Sequence, residues 1–337
     1  MKIVHICQYY NEGYSYQENL LPRSQANLGH EVVLITSDRR SPILGRDQNR
    51  IVGTKTCYEG NVKIIRLSIK REFKGRFVCF SGLFDQIEKE KPDFIFHHGI
   101  TSPSIFELIK YKQKYRNVKL VLDNHADYCN TGKIYVWLLM YYRHYWKNKI
   151  RNILNEIDWF FSITPDCKRF AEKELGVPSS NHSLLPLGVD ERIASFSEEW
   201  RERVRNMYGF NNNDLIIITI GRLTKEKRIE HIINAMKVIN NIHIKLIIVG
   251  PFEKKYEKRI DAIIGQQNGI FVKIGWVDSK QIFKYFSAAD IAIFTGGQSV
   301  LWQQAISSGL PVIAKYWPVT LMRTSSIPLV QKACLRY

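Results

Sequence analysis

The sequence predicts an α/β protein of two doubly wound, mostly parallel sheets that face each other across a cleft, the second of them incomplete. Three observations support this. Short apolar runs without polar alternation recur, among them EVVLITS (31–37), LIIITI (215–220) and IKLIIV (244–249), and such runs read as strands buried on both faces. Amphipathic stretches such as IEHIINAMKVI (229–239) alternate with them at helical spacing. The alternation comes as two series, with a polar, charged stretch between them. The chain therefore divides into an N-terminal domain over 1–190, a linker region over 191–213 and a C-terminal domain over 214–337.

In the first series, residues 2–7 read as a strand, Tyr16 to Leu28 as a helix closed by Gly29, and 30–37 as a second strand, which makes a βαβ unit. The loop Gln8 to Ser15, containing Gly13, follows the carboxyl end of the first strand, where such sheets bind ligands. Residues 38–60 read as an irregular connection, 61–68 as a strand and Phe77 to Lys91 as a helix. DFIFHHG is a strand, Ser102 to Tyr115 a helix, and VKLVLDNHAD a strand ending in Asp123-Asn124-His125-Ala126-Asp127. A His between carboxylates at a strand mouth suits acid–base work or the orienting of a sugar hydroxyl. A His satisfied by a neighbouring carboxylate in a purely structural role fits equally well. His97 and His98 converge on the same edge, and at least one of them is expected to be structural.

Residues 132–154 read as one helix, with no interior Gly or Pro, that mixes Tyr135, Trp137, Tyr141, Tyr142, Tyr145 and Trp146 with Arg143, Lys147, Lys149 and Arg151. Such a helix suits an anionic membrane surface. The competing reading is that its apolar stripe packs on the sheet while its charges face water. A helix over Phe196 to Tyr208 lies within the linker region. The second series opens with LIIITI running into Gly221, a basic turn and a helix. That turn places Arg222 and Lys227 by the N-terminus of the next helix, where backbone N–H groups favour an anion. Solvated surface charges are the alternative at these two positions.

The formal charge of +17, from 49 Lys and Arg against 32 Asp and Glu, favours polyanions without choosing among nucleic acid, anionic membrane and phosphate-rich substrates. Six scattered Cys with no CxxC spacing argue against a zinc or disulfide framework and suit a reducing cytoplasm. The opening MKIVHICQYY reads as a strand, not a signal peptide, and no stretch reaches the ~18 apolar residues of a spanning helix.

Seven segments in order resemble the retaining, nucleotide-sugar-dependent glycosyltransferases of family 4, which have the GT-B architecture of two Rossmann-like domains. They are MKIVHI with LGHEVVLITS; DNH; SITP followed by LPLGVD; GRLTKEK; LIIVG; IGWV followed by FSAADIAIF; and AISSGLPVIA. The resemblance implies an acceptor-side first domain and a donor-binding second domain. It implies that Arg222 and Lys227 grip the donor diphosphate, with Gly13 near it, where the family often has a Gly pair. His125 matches the His placed near the transferred sugar, and Gly188 and Asp190 match the inter-domain turn. Gln298, Ser299 and Asp127 are candidate sugar or nucleotide contacts. No metal or other cofactor is expected, since Arg and Lys serve at the diphosphate, and Asp123 and Asp127 are not spaced as a metal-binding DxD element.

Two departures stand out. In the family's E-x7-E element the second Glu is Gln304 here and the first is Gly296, with Gln298 close by as a substitute hydrogen-bonding group, so both carboxylates are missing and Gln304 is the catalytic candidate. After Pro318 only nineteen residues follow, too few for the family's remaining αβ units, which predicts a shortened second domain. The reading is a cytoplasmic glycosyltransferase of hexosyltransferase type. It moves a sugar with retention from a nucleotide-diphosphate donor to a glycan or polyprenyl-linked acceptor, in surface polysaccharide or lipopolysaccharide synthesis. Peripheral contact through 132–154 would bring it to the inner face of the plasma membrane. Its rivals are a catalytically impaired relative that binds a nucleotide sugar or a partner, an epimerase or glycogen-type synthase of the same fold, and a nucleic-acid-binding protein resting on charge alone.

Overall fold

The computed structural model describes residues 1–42, 50–73, 75, 77–128, 131, 135–190, 194–265, 269–279, 281–296 and 299–314. The chain forms two compact units. One comprises Met1–Glu12 and Tyr16–Leu187, the other Gly13–Ser15 and Gly188–Tyr337.

The first unit is an eight-stranded sheet. Its strands are β1 (Lys2–Ile6), β2 (Glu31–Ser37), β3 (Lys55–Glu59), β4 (Val62–Leu67), β7 (Phe94–His97), β8 (Lys119–Asn124), β9 (Trp159–Ser162) and β10 (His182–Leu184), in the order β10-β9-β8-β7-β1-β2-β4-β3. All neighbours are parallel except the edge pair β3 and β4. Every residue of β2 after Glu31 is buried, as a strand covered on both faces requires. Helices α1 (Gln17–Asn27), α2 (Leu83–Glu90) and α3 (Ile105–Lys114) join the strands. Gly29 ends α1 at φ +88, with Gly29 N–H donating to Ala26 O and His30 N–H to Gln25 O.

Two expectations fail here. Residues 38–60 contain the strand β3, whose half-exposed residues lack the apolar run that marks the central strands. Phe77 to Lys91 is not one helix. Its first part is β6 (Phe77–Phe80), paired antiparallel with β5 (Ile69–Phe73), and α2 starts only after Gly82. The Ser81-Gly82 pair was the signal for that break.

The basic, aromatic stretch is a helix formed by α4 (Tyr135–Trp137), a π-helical section (Leu138–Trp146) and α5 (Lys147–Arg151). Leu138, Tyr142, Trp146 and Ile150 are buried in the core of this unit. They are spaced by four, a spacing that drifts about 40° per step around an α-helix. The wider π turns rotate the stripe roughly 30° the other way per step, so the mixed helix keeps all four side chains on the core. Arg143 pairs with buried Glu174. The stripe is core, as the packing reading had it; Tyr135, Val136 and Met140 stay exposed. The SITP segment starts α6 (Pro165–Phe170): Thr164 Oγ1 accepts from Cys167 N–H at 3.1 Å, and Pro165 occupies the first turn, where no N–H is needed.

The second unit is a five-stranded parallel sheet of β11 (Leu215–Ile220), β12 (Ile244–Val249), β13 (Phe271–Ile274), β14 (Ile291–Phe294) and β15 (Val312–Ala314), in the order β13-β12-β11-β14-β15. Its helices are α7 (Glu198–Met207), α8 (Glu230–Ile239), α9 (Lys254–Ile264), α10 (Ile282–Ala288) and α11 (Val300–Ser307). The tail beyond Ala314 lies outside the described residues. Helix α7 is bound tightly to the sheet. Buried Arg205 donates to Asp290 Oδ2 at 2.7 Å and to the carbonyls of Ala288 and Asp214, and Arg201 donates to Asp290 Oδ1 at 2.6 Å. Ile216 N–H, at the start of β11, donates to the same carboxylate.

Asp290→Ala strands the buried Arg205 charge. Urea unfolding of the second unit should show a loss of about 3 kcal/mol, whereas Lys273→Ala, which breaks two surface ion pairs, with Glu257 and Asp261, should cost under about 1 kcal/mol.

Candidate functional site

In the second unit the sheet turns one way from β11 to β12 and the other from β14 to β15, so the switch point lies between the carboxyl ends of β11 and β14. Close backbone packing shapes the turn after β11. A Cβ on Gly250, at the end of β12, would lie 2.0 Å from Gly221 O, so the IVG segment needs glycine there. Leu223 N–H donates to Pro251 O and Glu253 N–H to Leu223 O, which lock the turn to the loop after β12. The loop after β14 closes on it from the other side. Thr295 Oγ1 donates to Lys227 O at 2.6 Å, and a Cβ on Gly296 would meet Lys227 Cα at 2.8 Å. The turn is thus held from both flanks.

Lys227 is half-buried within this frame. Burial lowers its ammonium below the ordinary value, and no opposing charge raises it. Among the described residues no carboxylate pairs with it. A partly desolvated cation of this kind is stabilised when an opposite charge comes near. Arg222 is exposed on the same turn.

Helix α8 begins three residues after Lys227, at Glu230. At its start Ile229 N–H donates to Tyr256 Oη at 2.7 Å, and Glu230, in the first turn, pairs with Arg259. A second helix start, that of α11, also lies at the switch point. Ser299 caps it by accepting from Leu301 N–H, and Leu301 Cδ1 lies 3.2 Å from where a Gly221 Cβ would be. Gln304 on α11 is 1% exposed, and its Oε1 has no hydrogen-bond partner among the described residues. Gly13 has φ +78 and groups with this unit. Gln298 lies outside the described residues.

In the first unit the corresponding position is the mouth of β1, β7 and β8. Asn124 ties the DNH segment down: its Nδ2 donates to Ala126 O and Cys167 O, and its Oδ1 accepts from Ala126 N–H. Asp123 is fully buried. Its Oδ1 accepts from Gly99 N–H at 2.8 Å, and its Oδ2 lies 3.2 Å from both His98 Nδ1 and His125 Nε2. Burial pushes the Asp123 carboxyl up, but the His125 and His98 imidazoles outweigh it and hold it well below the usual carboxylate range. Burial pulls His125 down, and the Asp123 charge and hydrogen bond more than offset this, so its pKa is raised. The His125 side chain is 40% exposed. Asp127 is buried beside this turn.

His97 is the structural member of its pair, bonded to Gly99 O and to Ser104 Oγ. His98 is bonded to Asp123 and to His5, and the sequence reading does not include His5, which also contacts Gln25. The available signal was a His inside the apolar run KIVHI, because a polar residue in a strand covered on both faces must find a partner. Among the described residues, His98, Asp123 and His125 are the group whose donor atoms come close enough for a metal, all within 4.8 Å. The contacts within this group are hydrogen bonds to one carboxylate oxygen.

Comparisons with known proteins give the family and the fold. The model for glycosyltransferase family 4 fits residues 20–193, more than half of the chain, and that for glycosyl transferases group 1 fits residues 201–317. The chain belongs to glycosyltransferase family 4. The alpha-monoglucosyldiacylglycerol synthase of Acholeplasma laidlawii is 23% identical over 312 residues, covering 86% of this chain and 73% of that protein. Among solved structures, Anabaena HepE in complex with UDP and glucose aligns with a TM-score of 0.60 at 15% identity, over 93% of this chain and 80% of its own. WaaG, a glycosyltransferase of lipopolysaccharide biosynthesis, gives a TM-score of 0.61 at 15% identity and the same coverage. The fold of this family 4 member is GT-B, and it is a glycosyltransferase.

His125 binds a proton more readily folded than unfolded. Its contribution to stability is complete below its unfolded pKa of about 6.5 and is lost as pH rises through the higher folded value. Denaturation of His125→Asn should therefore show a deficit against the parent near pH 6 that shrinks at alkaline pH.

Proposed function

We propose that the protein transfers a sugar from a nucleotide-diphosphate donor to a glycan or lipid-linked acceptor with retention of configuration. The observation that carries this is Lys227: a half-buried cation, fixed at the switch point of the second sheet, with no carboxylate partner among the described residues. A diphosphate supplies the missing counter-charge. It is also the leaving group, so Lys227 and Arg222 stabilise charge that grows as the bond from the sugar carbon to the phosphate oxygen breaks. The electron pair leaves with the phosphate, the acceptor oxygen bonds the sugar carbon on the same face, and the hydroxyl proton goes to the departing phosphate. On this reading no metal is needed at the diphosphate, because the two side chains supply its positive charge. His125 attends the transferred sugar, as the family resemblance implies, and the UDP and glucose of the Anabaena relative support a uridine donor among the candidates.

A lipid-linked acceptor is supported by the diacylglycerol product named for the Acholeplasma relative and by the exposed Tyr135, Val136 and Met140 on an otherwise core-packed basic helix. No helix among the described residues is long and apolar enough to cross a membrane, so on this reading the contact with lipid is peripheral. A second reading rests on Gly296 and Gln304, which stand where the family has carboxylates: a chain that holds the donor without transferring its sugar.

A thermal-shift screen with UDP-, GDP-, ADP- and dTDP-sugars should give one stabilising donor, with a shift that grows with ligand concentration. Lys227→Ala and Arg222→Ala should abolish it; a full shift in both would refute the diphosphate assignment. Release of the nucleoside diphosphate with an acceptor present separates transfer from binding alone.

A further inference from the structure

Behind His125 runs a line of four more polar side chains reaching into the first unit. Gln25 Oε1 on α1 lies 2.6 Å from His5 Nε2 on β1, and His5 Nδ1 lies 3.1 Å from His98 Nε2. His98 Nδ1 lies 3.2 Å from Asp123 Oδ2, which also meets His125 Nε2. His5 and Asp123 are fully buried, and the His98 side chain is 7% exposed. The contacts join residues 20, 93 and 25 positions apart, so the fold assembles this line from four separate segments.

The protons along it can be counted. An amide oxygen only accepts, so His5 donates through Nε2. Burial keeps His5 neutral, with its pKa lowered to about 3, so His5 Nδ1 must accept. His98 therefore donates to it through Nε2. At its other side His98 meets a carboxylate, which also only accepts, so His98 Nδ1 carries a proton too. The other titratable groups nearby do not change this count. His97 is neutral, lowered to about 4 by burial, and bonded elsewhere; Cys7 is buried with its thiol pushed up; and Glu18 on α1 acts on His125 from the outer side.

We propose that His98 is a positioning residue held as a buried imidazolium, which neutralises Asp123 from behind and, with His5 and Gln25 as its backing, fixes the carboxylate that orients His125. A fully uncompensated Asp123 would bind the His125 proton too firmly for the ring to exchange hydrogen bonds with a sugar. A carboxylate shared with His98 holds the ring through Nε2–H while attracting that proton less. Its bearing on catalysis rests on the reading of His125 given above; the charge on His98 does not.

The test is long-range proton–nitrogen NMR of the donor-free protein labelled with 15N-histidine. His98 signals are assigned by their loss in His98→Asn. Both ring nitrogens of His98 should be protonated at neutral pH, and His5 only at Nε2; a His98 with one protonated nitrogen overturns the proposal. His98→Asn retains an N–H toward Asp123 but no charge, so the His125 titration should move to higher pH, and an unmoved curve also counts against the proposal. A stoichiometric transition metal that is lost in His98→Asn would put a metal cation where the proton is placed and refute it. In transfer assays His98→Asn should lower kcat roughly 10-fold with the donor KM unchanged. If no transfer is seen in any variant, the function has failed, and the spectra still decide the charge.

Discussion

A parallel sheet covered on both faces leaves polar chemistry only the ends of its strands. Both units obey this constraint. In the second, five successive residues of β11 are buried before the chain reaches Gly221 and its basic turn. In the first, β7 and β8 are apolar until they deliver His98 and Asp123 at their carboxyl ends. The switch point in each sheet opens the gap into which these ends project. Helices, caps and close glycine contacts then serve to hold short loops in one conformation at those two places.

The two sites use opposite electrostatic strategies. At Lys227 a positive charge is partly desolvated and has no carboxylate partner among the described residues, so an anion brought near it would lower its energy. At Asp123 a negative charge is fully buried but surrounded by donors on three sides: Gly99 N–H, His98 and His125. The first arrangement is poised for a ligand and the second is satisfied in advance. That contrast suits a leaving-group site that must respond to charge and a supporting shell that must not move.

How much of this was legible in the sequence depended on the distance over which each signal acts. LIIITIGR declares strand and turn within eight residues, and SITP carries its own helix start in Thr164 and Pro165. The β5–β6 hairpin was missed because its strands are short and partly polar, and because FVCF runs close to a helix. The Lys227 turn was read as basic, but what fixes it is Thr295, 68 residues away. The start of α8 follows directly from the sequence after this turn, whereas the approach of α11, whose Leu301 reaches Gly221, comes from parallel topology and carries no local signal. His98 and the polar residue in KIVHI are visible locally, but that His5 meets His98, 93 residues away, and that His98 meets Asp123 are set by the sheet order alone.

Gly296 makes two loops of the second unit a single element. The loop that carries it lies against Lys227 so closely that a side chain there would meet the lysine backbone at 2.8 Å and its Cδ at 2.9 Å. A glutamate introduced at 296 by itself would press on the backbone and the stem of Lys227. An acidic residue at that position therefore needs the Lys227 turn to move with it, so the two positions are coupled and only a paired substitution can rebuild them.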